Sequence, residues 1–340
     1  MRFLLVAVIG VVLIGWGLLT PPMETARLKN TTSGLQGRDV ELYAGVTGRV
    51  AAGENYYAVL ADELRAREYA TRPIFNWRLP TLTWLNALMP SSAWSHGVLI
   101  LVGFGVVLAW AIVLRQEIPQ ATTAAVPLLV MCMGGIFMNN TAVLHEAWAG
   151  VLIAASLACW RANRPGLSVG LGALALLIRE LTFPFVAIMA AMAWQESRKK
   201  EAMAWAGAIL VFGVVWLWHA SYVLPLMPAD GMSKSWLVMG GWGFALSTAQ
   251  ANPFLLLLPA RLVAVIVPVA WAGFWSWRTP LGRRVAWVVT GYLVFFVTAG
   301  RPENWYWGFV IAPLMALGPI GYFYRPDAGA ASGERAKAVK

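Results

Sequence analysis

Long apolar runs follow one another along this 340-residue chain, and most are near the length needed to cross the hydrocarbon of a bilayer. A composition with 59% hydrophobic and 12% charged residues is typical of a chain whose main solvent is lipid. We therefore predict an all-α, polytopic membrane protein. The runs are 3–19, 96–114, 121–138, 142–160, 203–224, 254–277, 285–299 and 305–324.

A further apolar region, 166–194, decides the predicted topology. Arg179 and Glu180 stand in its middle and Pro184 follows, so each apolar piece is short. If the chain crosses twice and turns at the charged pair, ten basic residues of the later loops and tail join Arg2 on one side, which the positive-inside rule makes the cytoplasm. The sequence thus predicts about ten transmembrane helices with both termini cytoplasmic.

The predicted domain organisation is simple. Residues 1–325 form one transmembrane domain, with 21–95 as an extracytoplasmic insert, and 326–340 form a disordered basic cytoplasmic tail. The first apolar run is expected to remain as a signal anchor, because no small-x-small cleavage site follows it. Cys132 and Cys159 both fall inside predicted spans, which favours packing roles over a disulfide or a metal site.

The net charge of +10 does not indicate nucleic-acid binding, because most of the surplus lies in the predicted inner loops and tail, where it orients the chain. The sequence contains neither a Walker loop nor a glycine fingerprint after a strand, so a nucleotide site of the usual soluble kind has no support. The expected partners are membrane lipids and lipid-borne molecules.

The insert has its own helical pattern. Residues 39–52 read as a helix with Asp39 and Tyr43 on one face, and residues 55–69 read as a second helix. An extended stretch between Pro73 and Pro80 is predicted next. The apolar side chains of 81–89 are expected to lie flat in the membrane interface.

Three strings in this insert carry a resemblance to a known family. Asp39-x-Glu41-x-Tyr43, Gly-Glu-Asn-Tyr-Tyr at 53–57 and Trp-Arg-Leu-Pro-Thr-Leu at 77–82 resemble the first-loop signature of the C-type (GT-C) membrane glycosyltransferase superfamily. They are similar in particular to the bacterial branch that takes single sugars from polyprenyl-phosphate donors. The charged hairpin at 178–181 and the late string Arg-Pro-Glu-Asn-Trp-Tyr-Trp-Gly at 301–308 also resemble that branch.

The resemblance implies a GT-C-like fold and an inverting, mannosyltransferase-like enzyme of the bacterial inner membrane. Such an enzyme moves one hexose or pentose from polyprenyl phosphate to an envelope glycan, glycolipid or lipid acceptor on the extracytoplasmic face. It implies Asp39 as the catalytic base, which agrees with the need of an attacking hydroxyl to lose its proton. The leaving phosphate needs cations, and the outer candidates are Arg78, Arg179, Lys234 and Arg301.

Further polar and aromatic residues on the same predicted side are candidates for substrate binding. No cofactor and no obligatory metal is expected, since only the Asp39-x-Glu41 pair offers any metal-ligand spacing. The candidates are Glu41, Tyr43, Tyr57, Trp77, His145, Glu146, Glu180, Glu303 and Asn304.

Structural roles compete with these functional ones. Asp39 could be a carboxylate that stabilises the start of its helix by accepting from free amide hydrogens, a role that is compatible with catalysis. Glu41 could be a solvent-exposed surface residue. Arg179 and Glu180 could form an ion pair at a tight turn, and Trp77 could belong to an interfacial aromatic belt.

Other function classes also stay open. A lipid-linked glycan polymerase or ligase shares the membrane setting and the polyprenyl substrates. A polytopic transporter or flippase would be expected to gather ionisable residues near the midplane, and a structural membrane subunit needs no site at all. The sugar, the acceptor and any protein partner are left open by the sequence.

Overall fold

The described chain is helical throughout, as predicted. The computed structural model describes residues 2–20, 38–138, 140–228, 231, 233, 235 and 238–325. Its α-helices are α1 (Arg2–Leu19), α2 (Arg38–Ala51), α3 (Tyr56–Ala66), α4 (Thr81–Ala87), α5 (Ser92–Glu117), α6 (Thr122–Cys132), α7 (His145–Arg161), α8 (Pro165–Ile178), α9 (Phe183–Gln195), α10 (Lys199–Val223), α11 (Gly241–Ala249), α12 (Pro253–Leu256), α13 (Ala260–Ser276), α14 (Pro280–Thr298), α15 (Ala312–Met315) and α16 (Leu317–Gly321).

Three of the described helices are long and apolar enough to cross a membrane. They lie at Ser92–Glu117, Lys199–Leu226 and Pro280–Thr298. Large apolar side chains on the first two face outward, such as Leu101 and Leu210, which are 71% and 70% exposed. In a bilayer these side chains would contact lipid, and the backbone polar groups of each helix are satisfied internally. These three helices are therefore candidate membrane spans by length and composition.

Helix α7 lies at the centre of the bundle. Thirteen of its residues are buried, including both residues of its first turn, His145 and Glu146. It packs against α5, α8 and the 3₁₀ segment Pro302–Val310. A helix that is buried on all sides can carry polar groups only if they are paired. The charged first turn of α7 therefore requires partners from neighbouring elements.

The predicted turn at Arg179 and Glu180 is present. Helix α8 ends at Ile178, Arg179 takes an extended conformation, and α9 begins at Phe183 with Pro184 in its first turn. Proline is favoured in the first turn because the amide hydrogen it lacks would have no partner there. The two helices form a hairpin that brings Arg179 and Glu180 to the same end of the bundle as the first turn of α7. We call this the Asp39 end, because Asp39 lies at the same end of the bundle.

The insert folds as two helices and a short third one. Arg67 Nε donates to Glu63 Oε2 at 3.0 Å, as their spacing predicts. The stretch before α4 differs from the prediction, because it contains a 3₁₀ turn, Ile74–Asn76, rather than extended chain alone. Helix α4 also does more than lie at an interface, since it packs on α2 and buries Leu82.

The C-terminal part departs most from the predicted spans. Residues 225–253 contain the buried helix α11, which the sequence analysis did not predict. The run 305–324 is not one continuous helix but a 3₁₀ segment followed by α15 and α16. Pro313 and Pro319 fall within this run and explain its breaks, since each removes an amide donor and crowds the preceding turn.

Two glycines allow the segment Pro302–Val310 to enter the core. A Cβ atom on Gly150 of α7 would lie 2.1 Å from the carbonyl oxygen of Phe309. A Cβ on Gly308 would lie 1.7 Å from the carbonyl oxygen of Thr248 in α11. Only a residue without a side chain permits such close backbone approach. These contacts hold the segment between α7 and α11, and thereby position Tyr306.

Candidate functional site

Asp39 lies in the first turn of α2 and is held by two tyrosines from distant parts of the chain. Tyr69 donates its hydroxyl to Oδ1 at 2.7 Å, and Tyr306 donates its hydroxyl to Oδ2 at 2.5 Å. Each carboxylate oxygen thus accepts a short, charge-assisted hydrogen bond. Tyr69 reaches this place because the chain turns just after α3, where Glu68 adopts a left-handed conformation with φ of 55°. The carboxylate is fixed in orientation and half-buried.

A buried arginine joins two carboxylates beside it. Arg179 Nε donates to Glu146 Oε1 at 2.7 Å, and Arg179 Nη1 pairs with Glu180 Oε1. The side chains of Arg179 and Glu146 are 2% and 4% exposed. Burial of charge is tolerated only with this kind of pairing. The partners that the first turn of α7 requires are therefore supplied by the α8–α9 hairpin.

Arg78 extends the pairing toward the insert. Its Nη1 donates to Glu180 Oε1 at 3.1 Å and to the carbonyl oxygen of Phe75 at 2.8 Å. Tyr56 donates to the carbonyl oxygen of Arg78 at 2.7 Å, which fixes the backbone at this point. The Arg78 side chain is 13% exposed, so it is more accessible than Arg179. We call Glu146, Arg179, Glu180 and Arg78 the ionic chain.

Tyr43 lies near both Asp39 and the ionic chain, and His145 packs beside it. The two rings meet edge to face with centroids 4.7 Å apart. The Tyr43 hydroxyl interacts electrostatically with Asp39, Arg78, Arg179 and Glu146, which locates all of them around it. Burial raises the pKa of this hydroxyl far above its usual value, so it stays protonated and able to donate.

His145 offers a further polar atom to the same place. Its ring is buried, and Nε2 has no hydrogen-bond partner within the described part of the chain. A buried polar atom without a partner carries a free-energy cost of about 1–3 kcal/mol. Such a cost is typical of a functional site, where a ligand or water supplies the partner.

The charge balance of the site is set by three carboxylates and two guanidinium groups. Burial alone would raise the pKa of Glu180, but the Arg179 and Arg78 guanidinium groups outweigh burial and lower it to about 2. Glu180 is therefore ionised at neutral pH and neutralises part of both arginines. An anionic ligand that binds a guanidinium group here therefore competes with a carboxylate for the same positive charge.

The fold brings seven of the fourteen predicted site residues together. Arg301 pairs outside the ionic chain: its Nε donates to the carbonyl oxygen of Ser235 at 2.7 Å, and its Nη1 is 3.6 Å from Glu303. Glu41 is 60% exposed and 3.5 Å from Arg67 on the outer side of the insert. Lys234 lies outside the described residues.

The predicted aromatic contacts to a sugar are mostly buried among protein atoms. Trp77 is 3% exposed and donates its indole N–H to the carbonyl oxygen of Thr71 at 2.9 Å. The Tyr57 hydroxyl is 3.2 Å from His219 Nδ1, and its ring stacks on Tyr222. In this structure Trp77 and Tyr57 join the insert to α10.

The remaining predicted residues lie on the segment Pro302–Val310. Asn304 is half-buried, and its backbone N–H donates to the carbonyl oxygen of Arg301 at 2.8 Å. Trp305 and Trp307 are 7% and 4% exposed, and the Arg179 guanidinium carbon lies 5.9 Å from the Trp307 ring centroid. These two tryptophans are core residues that pack beside the site.

Sequence reasoning missed the two tyrosines that hold Asp39. Tyr306 stands inside the late string that carried the family resemblance, between two tryptophans, but nothing in its spacing links it to Asp39. The sequence pattern places Tyr69 at the end of a predicted helix and assigns it no contact. The available signal was a tyrosine hydroxyl among apolar neighbours, which needs a hydrogen-bond partner once it is buried.

The site combines a fixed carboxylate, neutral hydroxyl donors, a histidine nitrogen and two guanidinium groups. This set can take a proton from a hydroxyl and can bind an anionic oxygen. Among the described residues no group of three or more His, Cys, Asp or Glu side chains has the geometry to hold a metal ion. No protein-family model, no curated protein and no solved structure matches this chain.

Proposed function

We propose that the protein is a membrane glycosyltransferase that moves a single sugar from a polyprenyl-phosphate donor to a hydroxyl acceptor, with inversion at the anomeric carbon. Asp39 acts as the base that removes the acceptor proton. The single observation that carries this proposal is the convergence of Asp39 with the ionic chain around Tyr43. This reaction requires a base to deprotonate the acceptor and cations to bind the leaving phosphate, and both must act on one substrate complex.

Asp39 is oriented for this role by its two tyrosines. A fixed carboxylate holds the acceptor hydroxyl near the anomeric carbon, and orientation of this kind supplies a large part of enzymatic rate enhancement. Each carboxylate oxygen has a second lone pair for the acceptor hydroxyl, and if one tyrosine moves to admit the acceptor, Tyr69 is the better candidate. It follows a left-handed turn in the insert, whereas Tyr306 is held between packed helices.

Arg78 is the group that we assign to the donor phosphate. Its bonds to described residues use Nη1 only, and its side chain is more exposed than that of Arg179. Arginine suits bidentate contact with phosphate oxygens. Donor binding would draw Arg78 away from Glu180, while Arg179 keeps Glu180 and Glu146 neutralised.

The proposed setting is the inner membrane of a bacterium, with ten spans, the Asp39 end outside and both termini inside. Basic residues gather at the opposite end of the bundle, which the positive-inside rule assigns to the cytoplasm. At the Asp39 end, a lipid phosphate at the membrane surface could reach Arg78 while its chain stays in hydrocarbon.

The test is release of polyprenyl phosphate by the purified protein in lipid. The substrates are a panel of polyprenyl-phosphate sugars with envelope glycans and glycolipids as acceptors. Wild type is compared with Asp39→Asn, which keeps the shape and loses the base, and turnover is expected to fall at least a hundredfold. The matched control is Glu41→Gln, the same chemical change on the same helix at an exposed carboxylate, and it should retain turnover.

The outcomes of this assay distinguish the proposed transferase from its alternatives. Equal loss in Asp39→Asn and Glu41→Gln would attribute the effect to the charge of the insert and remove Asp39 as the base. Turnover only with oligosaccharides on pyrophosphate lipids would identify a lipid-linked glycan polymerase or ligase. An arm with EDTA tests the expectation that no metal is required, and loss of turnover that manganese restores would overturn it.

One observation favours a transporter as the second candidate. Two short helices, α8 and α9, meet at a charged break that is paired with the first turn of α7. Broken helices with ionisable residues are typical of transport sites. Uptake of a labelled lipid-linked sugar into vesicles without release of polyprenyl phosphate would support this candidate against the transferase.

A further inference from the structure

A cavity lies at the end of the bundle opposite Asp39. Its volume is about 550 Å³, which falls in the size range of small-molecule sites. Helix α8 runs from this cavity to Arg179, so the two sites are separated by the length of that helix. The lining residues come from the first turns of α8 and α10 and from the turn before α10, and they include Gly166, Val169, Arg198, Lys199, Lys200 and Ala204.

One wall of the cavity is basic. Lys199 and Lys200 are exposed and form no ion pair with any residue that the structure describes. Arg198 is held by Glu201, with Nε 2.6 Å from Oε2. The same residues begin α10, whose start has no side-chain cap. Free amide hydrogens and lysine charges at one place attract an anion.

A buried ionic group keeps this wall in position. Arg284 is fully buried and makes two hydrogen bonds to Glu196, each 2.7 Å long. Its guanidinium carbon lies 3.8 Å from the centroid of the Trp160 ring, and Trp160 donates its indole N–H to Glu201 at 2.8 Å. Glu201 is therefore tied to the core, and Arg198 is tied to Glu201. The wall is preorganised rather than a set of loose surface charges.

The other wall is apolar and continues onto the outer surface of the bundle. Val169 and Ala204 line the cavity, and next to them Leu167 and Met203 are 48% and 70% exposed. Met203 belongs to one of the helices that are long and apolar enough to cross a membrane. The cavity thus opens where a hydrocarbon surface meets a basic surface. This is the position of lipid phosphates in a bilayer.

We propose that this cavity binds the phosphate headgroup of an anionic phospholipid, with the lysines on the phosphate and the acyl chains against the apolar surface. Charge complementarity and the amphipathic lining select this occupant over a neutral lipid. The site is independent of the proposed glycosyl transfer, which takes place at the Asp39 end. It ties the protein to the leaflet that is rich in anionic lipid.

The experiment is native mass spectrometry of the full chain taken from phosphatidylcholine nanodiscs that contain phosphatidylglycerol as the minor lipid. Wild type is expected to retain phosphatidylglycerol in preference to phosphatidylcholine. Lys199→Gln with Lys200→Gln should weaken this retention about 25-fold, since each basic group near a lipid surface contributes about fivefold. The charge-matched control is Arg278→Gln with Arg283→Gln, two exposed basic residues at the same end that do not line the cavity.

A second variant tests the cavity without changing charge. No atom lies within 4 Å of a Cβ placed on Gly166, so the Cβ of Gly166→Leu meets open space at the cavity wall, and leucine favours the helix. Retention should fall in this variant too. Equal loss in the charge-matched control would reduce the effect to surface charge and overturn the proposal. Unchanged retention in both cavity variants, or displacement of the lipid by equimolar inorganic phosphate, would also overturn it.

Discussion

Tyr306 and Asp39 are 267 positions apart in the chain, and the Tyr306 hydroxyl donates to the Asp39 carboxylate at 2.5 Å. The contact joins the start of the insert to a 3₁₀ segment near the C-terminus. It makes Tyr306 a positioning residue for Asp39 in the proposed reaction, because the Asp39 carboxylate cannot rotate freely while this hydrogen bond is present.

Tyr306→Phe should lower kcat about tenfold or more, with KM for the donor little changed. A hydrogen bond to a charged group contributes about 1.5–3 kcal/mol, and here it is expected to act on orientation rather than on donor binding. The measurement is polyprenyl phosphate release under saturating donor. Tyr322→Phe is the control, because that hydroxyl donates to the carbonyl oxygen of Val269 at 2.8 Å, far from the site. A rise in KM without a fall in kcat would argue against a positioning role.

Arg179→Gln should be among the most destabilising changes in the chain, by about 3–5 kcal/mol, because it leaves Glu146 buried without its charged partner. The free energy of unfolding in detergent is the quantity to measure. Glu146→Gln alone should cost less, since Arg179 keeps Glu180. The double variant should cost less than the two single changes added together. Additive losses would show that the pair is not energetically coupled.

Arg78→Gln should weaken donor binding without the loss of stability that is expected for Arg179→Gln. Arg78 is 13% exposed and shares Glu180 with Arg179, so its loss leaves no carboxylate without a partner. We expect a folded protein whose KM for the donor rises at least tenfold, because a charge-assisted contact to phosphate is removed. Full unfolding of Arg78→Gln, or an unchanged KM, would remove Arg78 from the donor site.

The ionised state of Glu180 predicts a pH dependence of stability. Its pKa of about 2 in the folded chain is below the ordinary value, so folding is favoured by its ionisation above about pH 4.3. That contribution is lost as the pH falls from there toward 2. The difference in unfolding free energy between wild type and Glu180→Gln should therefore shrink over this window. A constant difference between pH 5 and pH 2 would contradict the pairing.

Gly150→Ala should displace Tyr306 from Asp39, although Gly150 itself lies in the core and not in the site. The added methyl group would collide with the carbonyl oxygen of Phe309 at 2.1 Å and push away the segment that carries Tyr306. Both thermal stability and turnover should fall. Gly97→Ala is the matched control, since it is an exposed helical glycine with no atom within 4 Å of the new methyl group, and it should be neutral or stabilising by up to about 1 kcal/mol. Equal melting temperatures for the two variants would contradict the close approach.

Local patterns in the sequence were sufficient for the helical class, for the break at Arg179 and Glu180, and for a helix that begins near Asp39. Each depends on residues close in the chain, such as an apolar run, a proline after a charged pair, or a carboxylate in a first turn. The same patterns failed at the helix Gly241–Ala249, which is apolar but too short to stand out as a span.

Only the tertiary structure decided which polar residues share the site. Arg301 carries a guanidinium group like Arg78, Glu41 carries a carboxylate like Asp39, and all four lie on the same predicted side, yet Arg301 and Glu41 pair elsewhere. Tyr306 reaches Asp39 because Gly150 and Gly308 let its segment enter the bundle. Such approaches depend on how helices far apart in the chain pack against one another. The sequence by itself determined a helical chain with charged turns and with helices long and apolar enough to cross a membrane, and the packing of its helices determined where those charges meet.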